Sequence, residues 1–268
     1  MTSLTSSDII NKYFKFCEIK ECCFWRAVTA ELLGTGILVF IGCGSILPAE
    51  HYAVMDPLIA PAICFGFIIA TLVHLIGPTS GCHINPAMTL TLAVAGRCPL
   101  LRSCFYIIAQ LIGASLGALL LWLISPDEYI ASGKMGRNCV NALVTPMAAM
   151  IMESIITCIL ALVVLLLTDP KEGKHYEGTP AYTAGFVVSA LVFCAGPYSG
   201  ASLNPARSFG PALIAMDFEN FWVFVTGPCL GALLAVIFYQ LILKQGVQNT
   251  NSNKNSQDHE DKLNETST

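Results

Sequence analysis

The chain has 268 residues, of which 54% are hydrophobic and only 12% charged, with a formal net charge of −4 and a mean hydropathy of +0.65. Soluble domains carry about 25% charged residues, so this composition is too poor in charge to coat a water-exposed surface and excludes an ordinary soluble domain. No basic stripe is present, and nucleic acid is not an expected partner.

The first 26 residues mix Asp8, Lys12, Lys15, Glu18, Lys20, Glu21 and Arg26 without a long apolar core before a small-residue cleavage site. They read as a cytoplasmic N-terminal segment with no cleavable signal peptide, and the first apolar run would be a retained membrane signal. Crossing a bilayer takes about 20 mostly apolar residues for about 30 Å of hydrocarbon. Six stretches qualify: 27–47, 55–76, 102–124, 146–168, 181–196 and 220–243. The fifth is expected to be cut short by Gly196-Pro197. Lipid cannot satisfy backbone polar groups and these runs lack strand alternation, so all six are expected to be helices. Two further segments, 85–96 and 204–216, are too short to span. Each starts at Asn-Pro after a Gly-containing turn, the pattern of a capped helix start, and each reads as a half-helix entering from a re-entrant loop. Residues 125–145 connect the halves outside the cell. The tail, 244–268, is polar and is expected to be disordered. Its Asn264-Glu265-Thr266 acceptor pattern is expected to stay unmodified on the cytoplasmic side.

Loop charge orients the chain. One side collects Lys12, Lys15, Lys20, Arg26, Arg97, Arg102, Lys171, Lys174, Lys244, Lys254 and Lys262; the other has only Lys134 and Arg137. Both termini are therefore expected in the cytoplasm of a multi-pass membrane protein, which requires an even number of spans.

The sequence also repeats itself. GFIIATLV at 66–73 resembles GFVVSALV at 185–192, and GPTSGCHINPA at 77–87 resembles GPYSGASLNPA at 196–206. Gly66 precedes Asn85, and Gly185 precedes Asn204, by the same interval. Each half (27–124 and 146–243) holds three spans and one half-helix. Three is odd, so the second copy must lie inverted. The expected fold is all-α, with six transmembrane helices and two re-entrant half-helices meeting N-terminus to N-terminus near the midplane.

At that meeting point stand Asn85-Pro86-Ala87 and Asn204-Pro205-Ala206. Each helix N-terminus carries roughly half a positive charge and free N–H donors. Two facing termini would oppose a cation or proton while letting water through, and the Asn amides could point donors into the lumen. Non-helical backbone at membrane depth is tolerated only where it lines a cavity or is buried in protein. Gly81-Cys82-His83 and Gly200-Ala201-Ser202 are accordingly read as cavity-lining, with carbonyls as acceptors and glycines for close backbone approach. Arg207 lies inside the second half-helix where the repeat has Met88. An intramembrane Arg is by default a functional hypothesis, here a fixed donor and charge at an outer constriction; snorkelling or burial against Glu153 is the competing reading. Glu31 and Glu153 fall at similar depths in the first and fourth spans. Each is expected to accept hydrogen bonds from the N–H groups of a re-entrant loop. A proton relay is less favoured, because neither His nor Lys accompanies them in their spans. The twelve Cys are scattered through apolar runs without a CxxC pair and read as small core hydrophobes. No metal, cofactor or catalytic residue is expected, since His74 and His83 have no evident third ligand.

SGCHINPAMTL and SGASLNPARSFGPAL, with the six-span pattern over about 25–245, resemble the aquaporins of the major intrinsic protein family. The resemblance implies a homotetramer with one channel per subunit and an outer filter at Phe65, Val192, Ala201 and Arg207. Strict water channels of the family usually carry His at the Val192 position and often Cys at the Ala201 position. Ser208, Ala212, Phe221 and Trp222 nonetheless resemble the water-type branch. The mixture resembles insect glycerol-transporting members that lack the filter His. It implies a non-enzymatic plasma-membrane channel for water and small neutral solutes such as glycerol and urea. A water-only channel, a secondary transporter and a junctional structural protein are the alternatives.

Overall fold

The computed structural model describes residues 15–47, 57–131, 135–169 and 179–243. The tail 244–268 with Asn264, residues 1–14, and Lys134, Lys171 and Lys174 of the loop-charge count lie outside the described residues. Among the described residues, six helices are long and apolar enough to cross a membrane. With the two half-helices between them, they are α1 (Cys22–Gly44), α2 (Ile59–Ser80), α3 (Pro86–Val94), α4 (Leu100–Ile124), α5 (Pro146–Leu167), α6 (Pro180–Ser199), α7 (Pro205–Ala215) and α8 (Val223–Phe238). A π turn, Tyr239–Leu243, extends α8, and a short helix, Asp127–Ala131, sits in the connecting loop.

Several boundaries shift by a few residues, and three of the shifts have a clear physical reason. Helix α1 begins at Cys22, one turn before Arg26; long basic side chains at a span's end can keep their charge in the interface while the backbone stays helical. Gly196-Pro197 does not cut the fifth span short, since α6 runs on to Ser199, and α2 likewise passes Pro78 to reach Ser80. Each Pro lies in the last turn, where it removes one intrahelical bond, and the helix closes beyond it through Gly81 N–H to Gly77 O at 2.9 Å and Gly200 N–H to Gly196 O at 3.0 Å.

The pairing of elements follows the repeat. Helix α1 packs along α4 and α5 along α8, one pair in each half, while α2 and α6 cross between the halves. That last crossing explains the matched glycines. A Cβ on Gly66 would sit 2.6 Å from Gly185 O, and one on Gly185 would sit 2.5 Å from Gly66 O. The backbones thus touch at equivalent points of the two copies, which no side chain permits. Facing outward, Phe67 is 63% and its repeat mate Phe186 is 68% exposed. Apolar rings turned away from the protein suit a lipid surface and not water.

The half-helices complete the inversion. Helix α3 runs from its Asn85 cap toward the end of the molecule that carries Arg97 and Arg102, whereas α7 runs from Asn204 toward the opposite end, where Arg137 pairs with Asp217 at 2.7 Å. Each starts with Pro at the first helical position, and the Asn side chain accepts a backbone N–H: Ala87 for Asn85, and Ala206 and Arg207 for Asn204. These contacts answer the orphan donors at each helix start.

Candidate functional site

The two caps meet. Asn85 Nδ2 donates to Leu203 O and Asn204 Nδ2 donates to Ile84 O, both at 2.8 Å. Each Asn therefore grips the carbonyl just before the other Asn, stitching the two half-helices end to end across more than a hundred residues of sequence. An amide has two N–H donors; one is spent on this stitch, and both side chains line the central cavity.

The loops that feed the caps, residues 81–84 and 200–203, are held in a left-handed zigzag. Gly81, Cys82 and Ile84 have φ of 88°, 51° and 42°, and Gly200, Ala201 and Leu203 have 75°, 49° and 53°. Close approach is not why Gly81 is needed, because a Cβ there would meet only ordinary contacts; its positive φ is the reason. Gly200 has both a positive φ and a close neighbour, since a Cβ on it would fall 3.0 Å from Asn138 Nδ2. Non-glycine residues in this region cost roughly 1–2 kcal/mol each, so something must hold them.

The holders are the two buried glutamates. Glu31 accepts Ser80 Oγ–H at 2.7 Å and His83 N–H at 2.8 Å on Oε1, with Ile84 N–H at 2.6 Å and Gln110 Nε2–H at 2.8 Å on Oε2. Glu153 accepts Ser199 Oγ–H at 2.6 Å, Ser202 N–H at 2.8 Å and Leu203 N–H at 2.9 Å. Both carboxylates are fully buried. These are charge-assisted bonds to backbone donors that would otherwise face hydrocarbon. Small polar pairs repeat the theme beneath: His83 Nδ1 lies 3.2 Å from Thr89 Oγ1, and in the equivalent place Ser202 Oγ lies 2.6 Å from Ser208 Oγ.

Arg207 is 2% exposed. Its Nη1 donates to Gly136 O at 2.7 Å, and its guanidinium carbon stands 5.0 Å from the Phe65 ring centroid. No ion pair joins it to Glu153 among the described residues; Glu153 is occupied by its own loop, and Arg207 turns instead to the connecting loop and the aromatic face. Among the described residues, Arg207 Nε has no hydrogen-bond partner. Phe65 is seated on Gly42, where any Cβ would fall 2.3 Å from its ring.

The connecting segment 136–141 is what sequence reasoning missed. Asn138 Nδ2 donates to Gly200 O at 2.8 Å, and its Oδ1 accepts Ser208 Oγ–H at 2.8 Å. Asn141 Nδ2 donates to Pro197 O at 3.0 Å. Residues 136–141 thus cap the open carbonyls at the end of α6 and present Gly136 O to Arg207. Nothing local in the sequence marks these residues. Gln110 and Thr89 were also missed; Gln110, a lone amide inside an apolar span, carried a readable signal.

These pieces line a cavity of about 80 Å³, room for roughly two or three waters at about 30 Å³ each. Its lining is mixed: Leu38, Phe65, Ile69, Leu160, Val164, Val188 and Val192 bring apolar side chains, and Cys82 to Asn85, Ala201 to Asn204 and Arg207 line it as well. All four residues Phe65, Val192, Ala201 and Arg207 are thus brought to one cavity, together with both Asn. Gly81 and Gly200 shape the loops without lining it. Pro86, Ala87, Pro205 and Ala206 are buried behind it as the first turns of α3 and α7. Among the described residues, no group of three or more His, Cys, Asp or Glu could hold a metal ion.

Comparison with known proteins agrees with this architecture. The model of the major intrinsic protein family matches residues 18–239. Aquaporin-5 of Rattus norvegicus is 41% identical over 228 residues, covering 84% of this chain and 84% of the relative. Aquaporin-4 of Mus musculus is 38% identical over 228 residues, covering 84% of this chain and 69% of the relative. Among solved structures, the aquaglyceroporin from Plasmodium falciparum superposes with a TM-score of 0.77 at 23% identity, covering 84% of this chain and 99% of that one; at that identity the likeness concerns the fold. The family match and the aquaporin relatives place the chain plainly: it belongs to the major intrinsic protein family, the family of the aquaporin channels.

Proposed function

We propose that this aquaporin-family channel conducts water together with glycerol and urea, and excludes ions and protons. The observation that supports this reading is the mixed lining of one cavity. Phe65 and Val192 bring apolar side chains to it, while Arg207 brings donors and the backbone of 201–204 carbonyl acceptors. A polyol can slide its carbon skeleton along the first and bond its hydroxyls to the second. Desolvating a hydroxyl without a partner costs roughly 1–3 kcal/mol, so both kinds of lining are needed. Val192 stands where a larger, polar imidazole would close the slot.

Charge exclusion rests on the two helix N-termini stitched at Asn85 and Asn204 and on Arg207 beside them. Together they make the midplane and one constriction positive. In this reading Glu31 and Glu153 are structural supports of the loops. The protein works as a homotetramer in the cell membrane, with both termini in the cytoplasm and the Arg207 constriction outside.

Vesicle swelling tests the solute range. Purified protein in liposomes is expected to raise water permeability and to give glycerol and urea fluxes above those of empty vesicles. Normal water flux with glycerol and urea at background would mark a water-only channel, a reading that the close Phe65–Arg207 contact favours. The same vesicles loaded with a pH dye are expected to show no proton flux beyond the lipid control; a leak on the scale of the water flux would remove the electrostatic mechanism.

A further inference from the structure

The connecting loop meets the half-helix α7 at three consecutive residues. Arg207 Nη1 donates to Gly136 O at 2.7 Å, Arg137 Nη2 pairs with Asp217 Oδ2 at 2.7 Å, and Ser208 Oγ donates to Asn138 Oδ1 at 2.8 Å. Arg207 and Ser208 stand in the first turn of α7, and Asp217 lies just past its last. The loop is thus held from both ends of one helix. The residue that anchors Arg207 is the chain neighbour of the residue that takes Asp217.

Asp217 is fixed to α7 by bonds of its own. Its N–H donates to Ala212 O at 3.0 Å, beyond a Met216 cap with φ of 51°, and its Oδ1 accepts Glu219 N–H at 2.9 Å. Oδ2 is left for Arg137. The Arg137 side chain is only 13% exposed, against 38% for Asp217. Among the described residues, Arg137 Nε is buried without a hydrogen-bond partner. Exposed ion pairs contribute little to stability, but here one partner is largely buried. Removing Asp217 strands that cation, which is costly, and the guanidinium must rise toward water. Gly136 moves with it. It sits directly on Cys43, since a Cβ on it would lie 2.6 Å from Cys43 Cβ. Cys43 is fully buried, and its thiol points to Gly136 O at 3.6 Å. Lifting Gly136 therefore uncovers Cys43.

We propose, resting on the reading of Arg207 as the constriction, that Arg137 and Asp217 are a positioning pair for the filter. The ion pair holds Gly136 O on Arg207 and so sets how far the guanidinium stands back from the cavity. Without it, Gly136 O withdraws and Arg207 Nη1 loses its acceptor inside a buried site. The cavity that Arg207 already lines offers water in its place, and the guanidinium leans inward. A three-carbon solute then loses more flux than water does.

The test compares wild-type protein with Asp217→Asn, Arg137→Gln, the double variant and Asp217→Glu in proteoliposomes. Two quantities are read: the glycerol-to-water permeability ratio from swelling, and the rate at which a small methanethiosulfonate labels Cys43, resolved from the other cysteines by peptide mass spectrometry. Each neutral variant is expected to lower the ratio and to speed Cys43 labelling by about tenfold, the scale of one hydrogen bond to a charged group. Cys98, buried at the opposite end beside Arg97, is expected to react as in wild type. The double variant is expected to match either single, as for two residues acting through one contact. Asp217→Glu keeps the charge and is expected to stay near wild type. Unchanged Cys43 labelling in both neutral variants, a wild-type ratio despite faster labelling, additive losses in the double variant, or a matching rise at Cys98 would each overturn the proposal. Wild-type glycerol flux at background would instead refute the solute range proposed above, and Cys43 labelling would still decide this pair's role.

Discussion

Replacing Glu153 isolates the force that holds one re-entrant loop in its left-handed zigzag. In Glu153→Ala, the Ser199 hydroxyl can turn to another acceptor, but Ser202 N–H and Leu203 N–H lose theirs inside a buried site. Each unpaired buried donor costs about 1–3 kcal/mol, so the pair costs roughly 2–6 kcal/mol. Ala201 and Leu203 also keep positive φ only while the loop is held, at roughly 1–2 kcal/mol each. The loop is expected to relax before the protein unfolds, since the helix packing is untouched. Relaxation withdraws Leu203 O from Asn85 Nδ2, and the stitch between the halves opens on that side. The expected outcome is a folded protein with a lower melting temperature in detergent and a water permeability reduced about tenfold or more, which corresponds to a barrier raised by about 1.4 kcal/mol. Glu153→Gln keeps one acceptor oxygen, turns an NH₂ toward a donor, and should fall between. Scanning fluorimetry and stopped-flow swelling of proteoliposomes, normalised to folded protein, provide the readout. Glu153→Ala with wild-type melting and wild-type permeability would refute the argument that this carboxylate supports the loop.

Val192→His should lower glycerol flux by about 5- to 150-fold, the range that 1–3 kcal/mol supplies, while water flux stays within about threefold; paired swelling assays check this, and equal losses of both would count against solute passage along the mixed lining. Cys82 lines the cavity with a partly exposed thiol, so mercurial inhibition of water flux is expected to vanish in Cys82→Ser and to set in faster from the cytoplasmic side; full inhibition in that variant would move the target elsewhere. Gly66→Ala places a methyl 1.9 Å from Ser189 Oγ and 2.6 Å from Gly185 O and should destabilise by about 1–3 kcal/mol, seen as a lower melting temperature in detergent; an unchanged melt would mean that α2 and α6 separate without cost.

What could be read directly from residues was whatever depends on local chemistry and on the solvent. Six apolar runs must be helices because lipid leaves their backbone no other partner. Asn-Pro marks a helix start at 85 and at 204 because an Asn cap and a Pro at the first turn each satisfy the orphan donors in place. The matched GFIIATLV and GFVVSALV segments, with three spans per half, made the inversion a matter of parity. Even the two glutamates were legible, because a carboxylate buried in a span must find donors and the re-entrant loops supply them.

The tertiary structure decided which far-off group completes each site. That the partners of Arg207 are Gly136 O and the Phe65 ring, with Glu153 otherwise engaged, follows only from how the connecting loop and α2 are brought beside α7. Asn138 and Asn141 look like ordinary loop residues until α6 ends beneath them with carbonyls to be capped. Bonds that span 50 to 120 residues of sequence leave no local period or motif. They arise where packing brings unpaired donors and acceptors together in a medium with no water to satisfy them.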